Sequence, residues 1–156
     1  MPRGTFILKE HGPRPLVMIA AGIGVTPIMS MIDSLAKSSN KNPDKKIICI
    51  QVERSPETHS MKDHIDKLVG DKSLTETHVF YTQHSGESTN LQNTTIHTGR
   101  PTVEALKGIV GKVLPEAEFY FCGPETFMNH FEDMLDKLEV EKGRRHSERF
   151  GPELGK

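Results

Sequence analysis

Short apolar runs alternate with amphipathic stretches along almost the whole chain, and this alternation constrains the fold more than any other feature. Leu16 to Ala20 is a compact apolar run ended by Gly22 and Gly24. From Pro27 onward, Ile28, Met31, Ile32 and Leu35 recur at i, i+3, i+4 and i+7, which is one face of a helix. Pro27 suits the first helical position, where a backbone N–H would be unpaired anyway. Ile47 to Val52 is apolar almost without interruption, as expected of a strand covered on both faces. Met61, Ile65, Leu68 and Val69 mark a second helix, and Thr77 to Tyr81 a third strand, less apolar and so placed at an edge. Pro101 opens a third helix with Val103, Leu106 and Val110 on one side. Phe119 to Cys122 is a fourth strand cut off by Gly123-Pro124. Phe127, Met128, Phe131, Met134, Leu135 and Leu138 then keep a 3.6-residue period, a stripe better read as core than as a cofactor box. Gly143 ends that stretch, and Arg145 to Phe150 forms a fifth strand.

Strand and helix in alternation predict an α/β fold, a doubly wound five-stranded parallel sheet of order 3-2-1-4-5 with helices on both faces. Right-handed crossovers make that order the simplest solution. A chain of 156 residues is enough for one such domain. The segment Thr82 to Arg100 is rich in Ser, Thr, Asn, Gln and Gly and reads as a long loop, a kind usually functional or mobile. Lys37 to Lys46 reads as a polar loop, and Lys41 to Lys46 and Glu139 to Arg145 as solvated faces.

Several function classes fall away on composition. The formal net charge is -1, with no basic stripe for nucleic acid. Cys49 and Cys122 both lie in apolar runs and form no CxxC or Cys/His cluster, so neither a metal site nor a disulfide framework is expected. His59 and His64 are five apart, off the register that puts two ligands on one helical face. No apolar stretch approaches a membrane span, and Met1 to His11 lacks the apolar centre of a signal peptide. Asn93-Thr94-Thr95 fits a glycosylation sequon and is read as chance, which leaves a cytoplasmic location as the expectation.

In a doubly wound sheet the ligand sits beyond the carboxyl ends of the strands, where the winding direction reverses. Here that point lies between the first and fourth strands. The loops leaving them are Gly22-Ile23-Gly24-Val25-Thr26-Pro27 and Cys122-Gly123-Pro124-Glu125, both glycine-containing turns that feed a helix. Glycine lets backbone approach a phosphate closely, and a helix N-terminus offers free N–H groups and a positive dipole end. Thr26 could cap the helix or give its hydroxyl to a phosphate. One such turn alone is as well explained by a tight bend; two meeting at one switch point favour a pyrophosphate cradle.

At these loops the chain resembles a known family. Ala21 to Pro27, then Phe119-Tyr120-Phe121-Cys122-Gly123-Pro124, then Glu148-Arg149-Phe150-Gly151-Pro152 are similar to three successive signatures of the ferredoxin–NADP reductase superfamily. The nearest resemblance is to the reductase module of flavohaemoglobins, carried by Cys122 to Met128 and by the ending Glu148-x-Phe150-Gly151-Pro152. The resemblance implies that Gly22, Ile23, Gly24, Val25, Thr26 and Pro27 hold the pyrophosphate of NAD(P)H. It places Cys122, Gly123 and Pro124 beside the nicotinamide and adds Met128, the end of the matching run, to the cofactor-binding candidates. Glu148 would lie near a flavin, and Phe150, followed by Gly151 and Pro152, would stack on it and yield to nicotinamide. Cys122, Glu148 and Phe150 are thus the candidate catalytic residues, although Cys122 can equally be a small buried residue ending a strand.

The resemblance also implies a partner. Family members carry FAD on a preceding barrel domain with an Arg-x-Tyr-Ser/Thr motif, and neither Tyr81 nor Tyr120 stands in one. Residues 1–14 then read as the remnant of a connection from that missing flavin-binding domain, 15–152 as the NAD(P)-binding domain and 153–156 as a tail. The expected function is hydride delivery from NAD(P)H to FAD on a partner domain or subunit, with onward electron transfer to haem or iron–sulfur. The isolated chain would be inactive. The competing reading is a nucleotide-binding or interaction module that turns nothing over. Nucleotide preference stays open, because Glu53 favours a ribose 2′-OH while Arg54 beside it favours a 2′-phosphate, and both could sit in a solvated loop. Gln83 and His84 could also reach the adenosine end.

Overall fold

The computed structural model describes residues 14–22, 25–37, 46–54, 67, 76–83, 89–91 and 94–150. Seven strands form one sheet: β1 (Leu16–Ala21), β2 (Ile47–Glu53), β3 (Glu76–Tyr81), β4 (Thr89–Leu91), β5 (Thr94–Thr98), β6 (Glu118–Pro124) and β7 (Arg145–Phe150). Among the described residues they are accompanied by the α-helices α1 (Val25–Lys37), α2 (Val103–Val110) and α3 (Glu125–Lys137) and a 3-10 turn, Lys142–Arg144. The sheet order is β4-β5-β3-β2-β1-β6-β7, with every pairing parallel except β4 with β5. The doubly wound arrangement of the five expected strands is therefore present, in the expected relative order.

Two strands extend it. The segment expected to be one long loop contains β4 and β5, and β5 pairs with β3 from Thr77↔Thr94 to Tyr81↔Thr98. So β3 is an interior strand, not an edge, and among the described residues the sheet has seven strands instead of five. The β-branched residues Thr94, Thr95, Ile96 and Thr98 suit a half-buried strand, although their polarity resembles that of a loop. The His78 and His97 side chains cross this added seam, Nδ1 to Nε2 at 3.0 Å, and His97 stacks on Phe80 at 4.3 Å. Burial first, and the neighbouring His78 second, hold the His97 pKa below 6.5. The second expected helix, around Met61 to Val69, lies outside the described residues apart from the helical position 67.

Period-two alternation along the strands splits the core into two layers. Leu16, Met18, Ala20, Ile47, Cys49, Tyr120 and Cys122 pack with Val25, Ile28, Met29, Met31 and Ile32 of α1. Val17, Ile19, Ile48, Ile50, Phe119 and Phe121 pack on the other face with Leu106 and Val110 of α2 and with Met128, Phe131, Met134 and Leu135 of α3. The stripe on α3 is core, as its period implied. α2 begins at Val103, two residues after Pro101, and Thr102 caps it, its hydroxyl accepting from Ala105 N at 3.1 Å.

The end of α3 departs from expectation. The helix stops near Leu138, where Glu139 N donates to Asp136 O and Val140 N to Leu135 O, both at 3.0 Å. This is a Schellman closure, with Val140 and Leu135 both buried in the core. Its left-handed position, φ 62, is held by Glu139 and not by a glycine. Glu139→Gly is therefore expected to stabilise the fold by about 0.5–1 kcal/mol, raising Tm by a few degrees in a thermal melt.

Candidate functional site

The winding direction reverses between β1 and β6, which lie side by side from Leu16↔Glu118 to Ala20↔Cys122. Their carboxyl ends are the place where loops from opposite layers part and leave a crevice. On one side β1 gives way to Gly22, whose φ of 57 lies in the left-handed region that glycine enters without penalty. A Cβ built there would meet no atom of the described residues within 4 Å. Ile23 and Gly24 lie outside the described residues, and α1 begins at Val25.

Val25 is buried and anchors the first turn of α1, while Thr26 stands exposed and Pro27 is half-buried. Thr26 is the second helical residue and so does not cap the helix; Pro27 is the third, not the first. Pro27 is tolerated there because N–H groups throughout the first turn lack an intrahelical acceptor. No acidic side chain lies in that turn, which leaves the positive end of the helix dipole available to an anion.

On the other side β6 runs on through Gly123 to Pro124, and α3 starts at Glu125. The expected break at Gly123-Pro124 is thus the last two residues of the strand, paired with Arg149 and Phe150 of β7. A Cβ on Gly123 would come within 2.6 Å of the Phe127 ring and 3.3 Å of the Ala21 Cβ. Glycine here permits the close passage of β6 between β1 and α3. Met128 is fully buried in the core beneath α3, so packing accounts for it.

The register then gathers the candidate catalytic residues. Cys122 pairs with Glu148, and Pro124 pairs with Phe150. Cys122 is fully buried, and its thiol is pushed up to about 12, by burial first and by the Glu148 carboxylate second. It is therefore a neutral thiol, a weak hydrogen-bonding surface and not a thiolate nucleophile. Cys49 is likewise pushed up to about 12 by burial. Both thiols should resist alkylation of the native chain at pH 8 and react once it is unfolded, as mass spectrometry would show. The folded state keeps these protons while an unfolded chain releases them near 9.0. Their contribution to stability is complete below that pH and is lost as pH rises from about 9 towards 12.

Glu53 and Arg54, adjacent in sequence, have different surroundings. Glu53 is the last residue of β2, buried, and its carboxylate accepts a hydrogen bond from Gln51 Nε2 at 2.8 Å. That is an ordered acid at a strand end, not a solvated loop residue; Arg54 is exposed. Gln51 escaped the sequence reading, although one amide inside the run Ile47–Glu53 signals a buried polar partner nearby. Gln83 is exposed, and His84, Gly151 and Pro152 lie outside the described residues.

Arg144 and Arg145 also correct an expectation. Arg144 donates to the Leu114 and Ala117 carbonyls at 2.8 and 2.7 Å, and Arg145 pairs with Asp136 at 2.8 Å. They are structural ties instead of a solvated face.

Residues 18–133 match the family of oxidoreductase NAD-binding domains. The chain belongs to that family. Relatives of the NAD-binding domain include the flavohemoprotein of Deinococcus radiodurans, 34% identical over 154 residues, which are 97% of this chain and 36% of that protein. A flavohemoprotein of Bacillus cereus is 32% identical over 151 residues, again 97% of this chain and 36% of the relative. The chain thus spans about a third of the length of the curated relatives it matches. Among solved structures, the flavohaem-like FAD/NAD-binding domain of nitric oxide dioxygenase from Vibrio cholerae superposes with a TM-score of 0.75 at 28% identity, covering 96% of this chain and 56% of that one. A flavohaemoglobin from Malassezia yamatoensis with bound FAD and haem gives 0.68 at 26% identity, over 91% of this chain and 33% of that one. The family resemblance read from the three loops is borne out. No helix among the described residues of the NAD-binding domain is long and apolar enough to cross a membrane.

Proposed function

We propose that this NAD-binding domain holds NAD(P)H across the β1–β6 switch point and presents it to FAD carried on a partner domain or subunit, as the reductase part of a flavohaemoglobin-like enzyme. The observation that carries this reading is the adjacency of two unlike corners. One is the left-handed Gly22, uncrowded by the described residues, at the first turn of α1, which carries no acidic side chain; the other is the paired Cys122 and Glu148 one strand away. The first suits a pyrophosphate, and the second suits the reacting rings.

When bound, the nicotinamide supplies a hydride at C4 and the flavin accepts it at N5. The residues of this chain orient and shield. Gly22 to Pro27 and the first turn of α1 take the pyrophosphate charge. Cys122, kept neutral by burial, offers polarisable surface without competing as a base. Glu148 provides a carboxylate beside that thiol, and Phe150 extends the same edge. Held in an ordered position by Gln51, Glu53 accepts from a ribose 2′-OH and repels a 2′-phosphate, which favours NADH over NADPH. Residues 15–152 constitute the domain, with 1–14 a connection and 153–156 a tail, in a cytoplasmic protein. Haem or an iron–sulfur centre on a partner would be the onward electron acceptor.

The chain alone should not oxidise NADH. Mixed with, or fused to, the FAD-binding domain of a flavohemoprotein, it should bleach the flavin absorbance near 450 nm on anaerobic addition of NADH, on the order of 10 turnovers per second or slower. Nucleotide binding without flavin reduction by any such partner would overturn the oxidoreductase reading and leave a binding module that turns nothing over.

A further inference from the structure

The strand that brings Glu148 and Phe150 to the site has almost nothing apolar with which to choose its register. β7 reads Arg-His-Ser-Glu-Arg-Phe and, among the described strands, lies at the edge of the sheet and pairs with β6 alone. Register is normally dictated by a hydrophobic face, and a slip of one residue would turn every side chain to the opposite face. Polar side chains of the described residues tie the strand at its amino end.

On the α1 face, His146 Nε2 donates to Glu118 Oε1 at 2.8 Å, and its ring stacks on Tyr120 at 4.5 Å between centroids. The other Glu118 oxygen takes Arg14 at 3.3 Å, and Arg14 also donates to the Glu116 carbonyl at 3.0 Å. The Glu118 carboxylate is thereby held between two cationic or polar donors at the start of β6, with both it and His146 largely buried. On the opposite face, Arg145 Nη2 donates to the Val140 carbonyl at 2.6 Å and pairs with Asp136 at 2.8 Å; its Nη1 lies 3.4 Å from Glu132. Ser147 is exposed, and the Glu148 carboxylate makes no hydrogen bond or ion pair among the described residues.

We propose that His146 is a positioning residue: anchored to Glu118 and Tyr120, it pins β7 in the one register that sets Glu148 against Cys122 and Phe150 against Pro124. Its own place opposite Tyr120 fixes both pairings, because each step of two residues along β7 is matched by a step of two along β6. Arg145 prevents rotation of the strand about its axis from the other face. The role assigned to His146 in hydride transfer rests on the function proposed above; its role as a pin does not.

The test compares His146→Ala with His146→Gln, whose amide can still donate to Glu118. Amide hydrogen exchange of the purified chain should rise roughly tenfold at Glu148 to Phe150 in His146→Ala, stay unchanged in β1 and β2, and return towards wild type in His146→Gln. With an FAD-bearing partner, the kcat for flavin reduction should fall about threefold to tenfold while the KM for NADH holds, since the pyrophosphate cradle lies on β1. Should His146→Ala fail to fold, His146→Phe keeps the stack and loses the donor, and an intermediate rise in exchange is expected. Unchanged exchange at Glu148 to Phe150 in the folded variant would overturn the pin. So would equal loss in the alanine and glutamine variants. If the wild-type chain reduces no flavin, the function falls while the exchange comparison still decides the pin.

Discussion

Gly22→Val is expected to leave the chain folded and to lower its affinity for NADH by at least about 100-fold, roughly 2.7 kcal/mol. The argument separates the two needs that a glycine can meet. At φ 57 a β-branched residue pays backbone strain, about 1–2 kcal/mol, which a domain of this size survives. Among the described residues, no atom beyond its chain neighbours lies within 4 Å of where the new Cβ would stand. What it does occupy is the space against which a pyrophosphate must lie. Gly22→Asn refines the point, since asparagine tolerates the left-handed region. It should melt close to wild type and still bind NADH weakly. If Gly22 served only a tight turn, Gly22→Asn would bind as well as wild type, and isothermal titration would show it.

Phe131→Ala is expected to give the largest loss of stability, about 3–5 kcal/mol by urea denaturation. Phe131 is fully buried at the centre of α3, in the layer with Val17, Ile19, Phe119 and Phe121, and Phe127 tilts against it at 4.8 Å. Truncation removes the transfer energy of a large ring and leaves a cavity that flanking strands, fixed on both sides by hydrogen bonds, can close only in part. Phe131→Leu should cost far less, near the range for a change in shape with similar volume. A loss below about 1 kcal/mol for the alanine variant would mean that α3 is not seated on the sheet as described.

Elements with a strong apolar period could be read from the chain. Leu16–Ala21, Ile47–Glu53 and the α3 stripe announce themselves because burial on both faces of a parallel sheet demands it. The glycine at the end of β1 and the one near the end of β6 could likewise be read, and their meeting at the switch point follows from strand order alone. β4 and β5 could not, since Thr94–Thr98 is half-buried at every position and its polar residues mimic a loop. The end of α3 was hidden because Glu139 occupies a position where glycine is the usual signal. The fate of Glu53 depended on a hydrogen bond two residues back in its own strand, and that of Arg145 on carbonyls and carboxylates of α3 and the turn after it. Tertiary partners of this kind leave no local trace. β7 is a mixed case: its bounds were legible, while its register rests on His146 and Arg145, polar contacts that periodicity does not encode.

The most direct measurement is a calorimetric titration of the purified chain with NADH, NADPH and FAD in turn, followed by backbone amide NMR on the NADH complex. The account predicts that NADH binds in the absence of FAD, more tightly than NADPH, with shifts concentrated at Gly22, Val25 and Thr26 and at Cys122 and Gly123, while FAD alone binds weakly or not at all. NADH binding with shifts elsewhere, or none with either nucleotide, would contradict the placement of the nucleotide at the β1–β6 switch point.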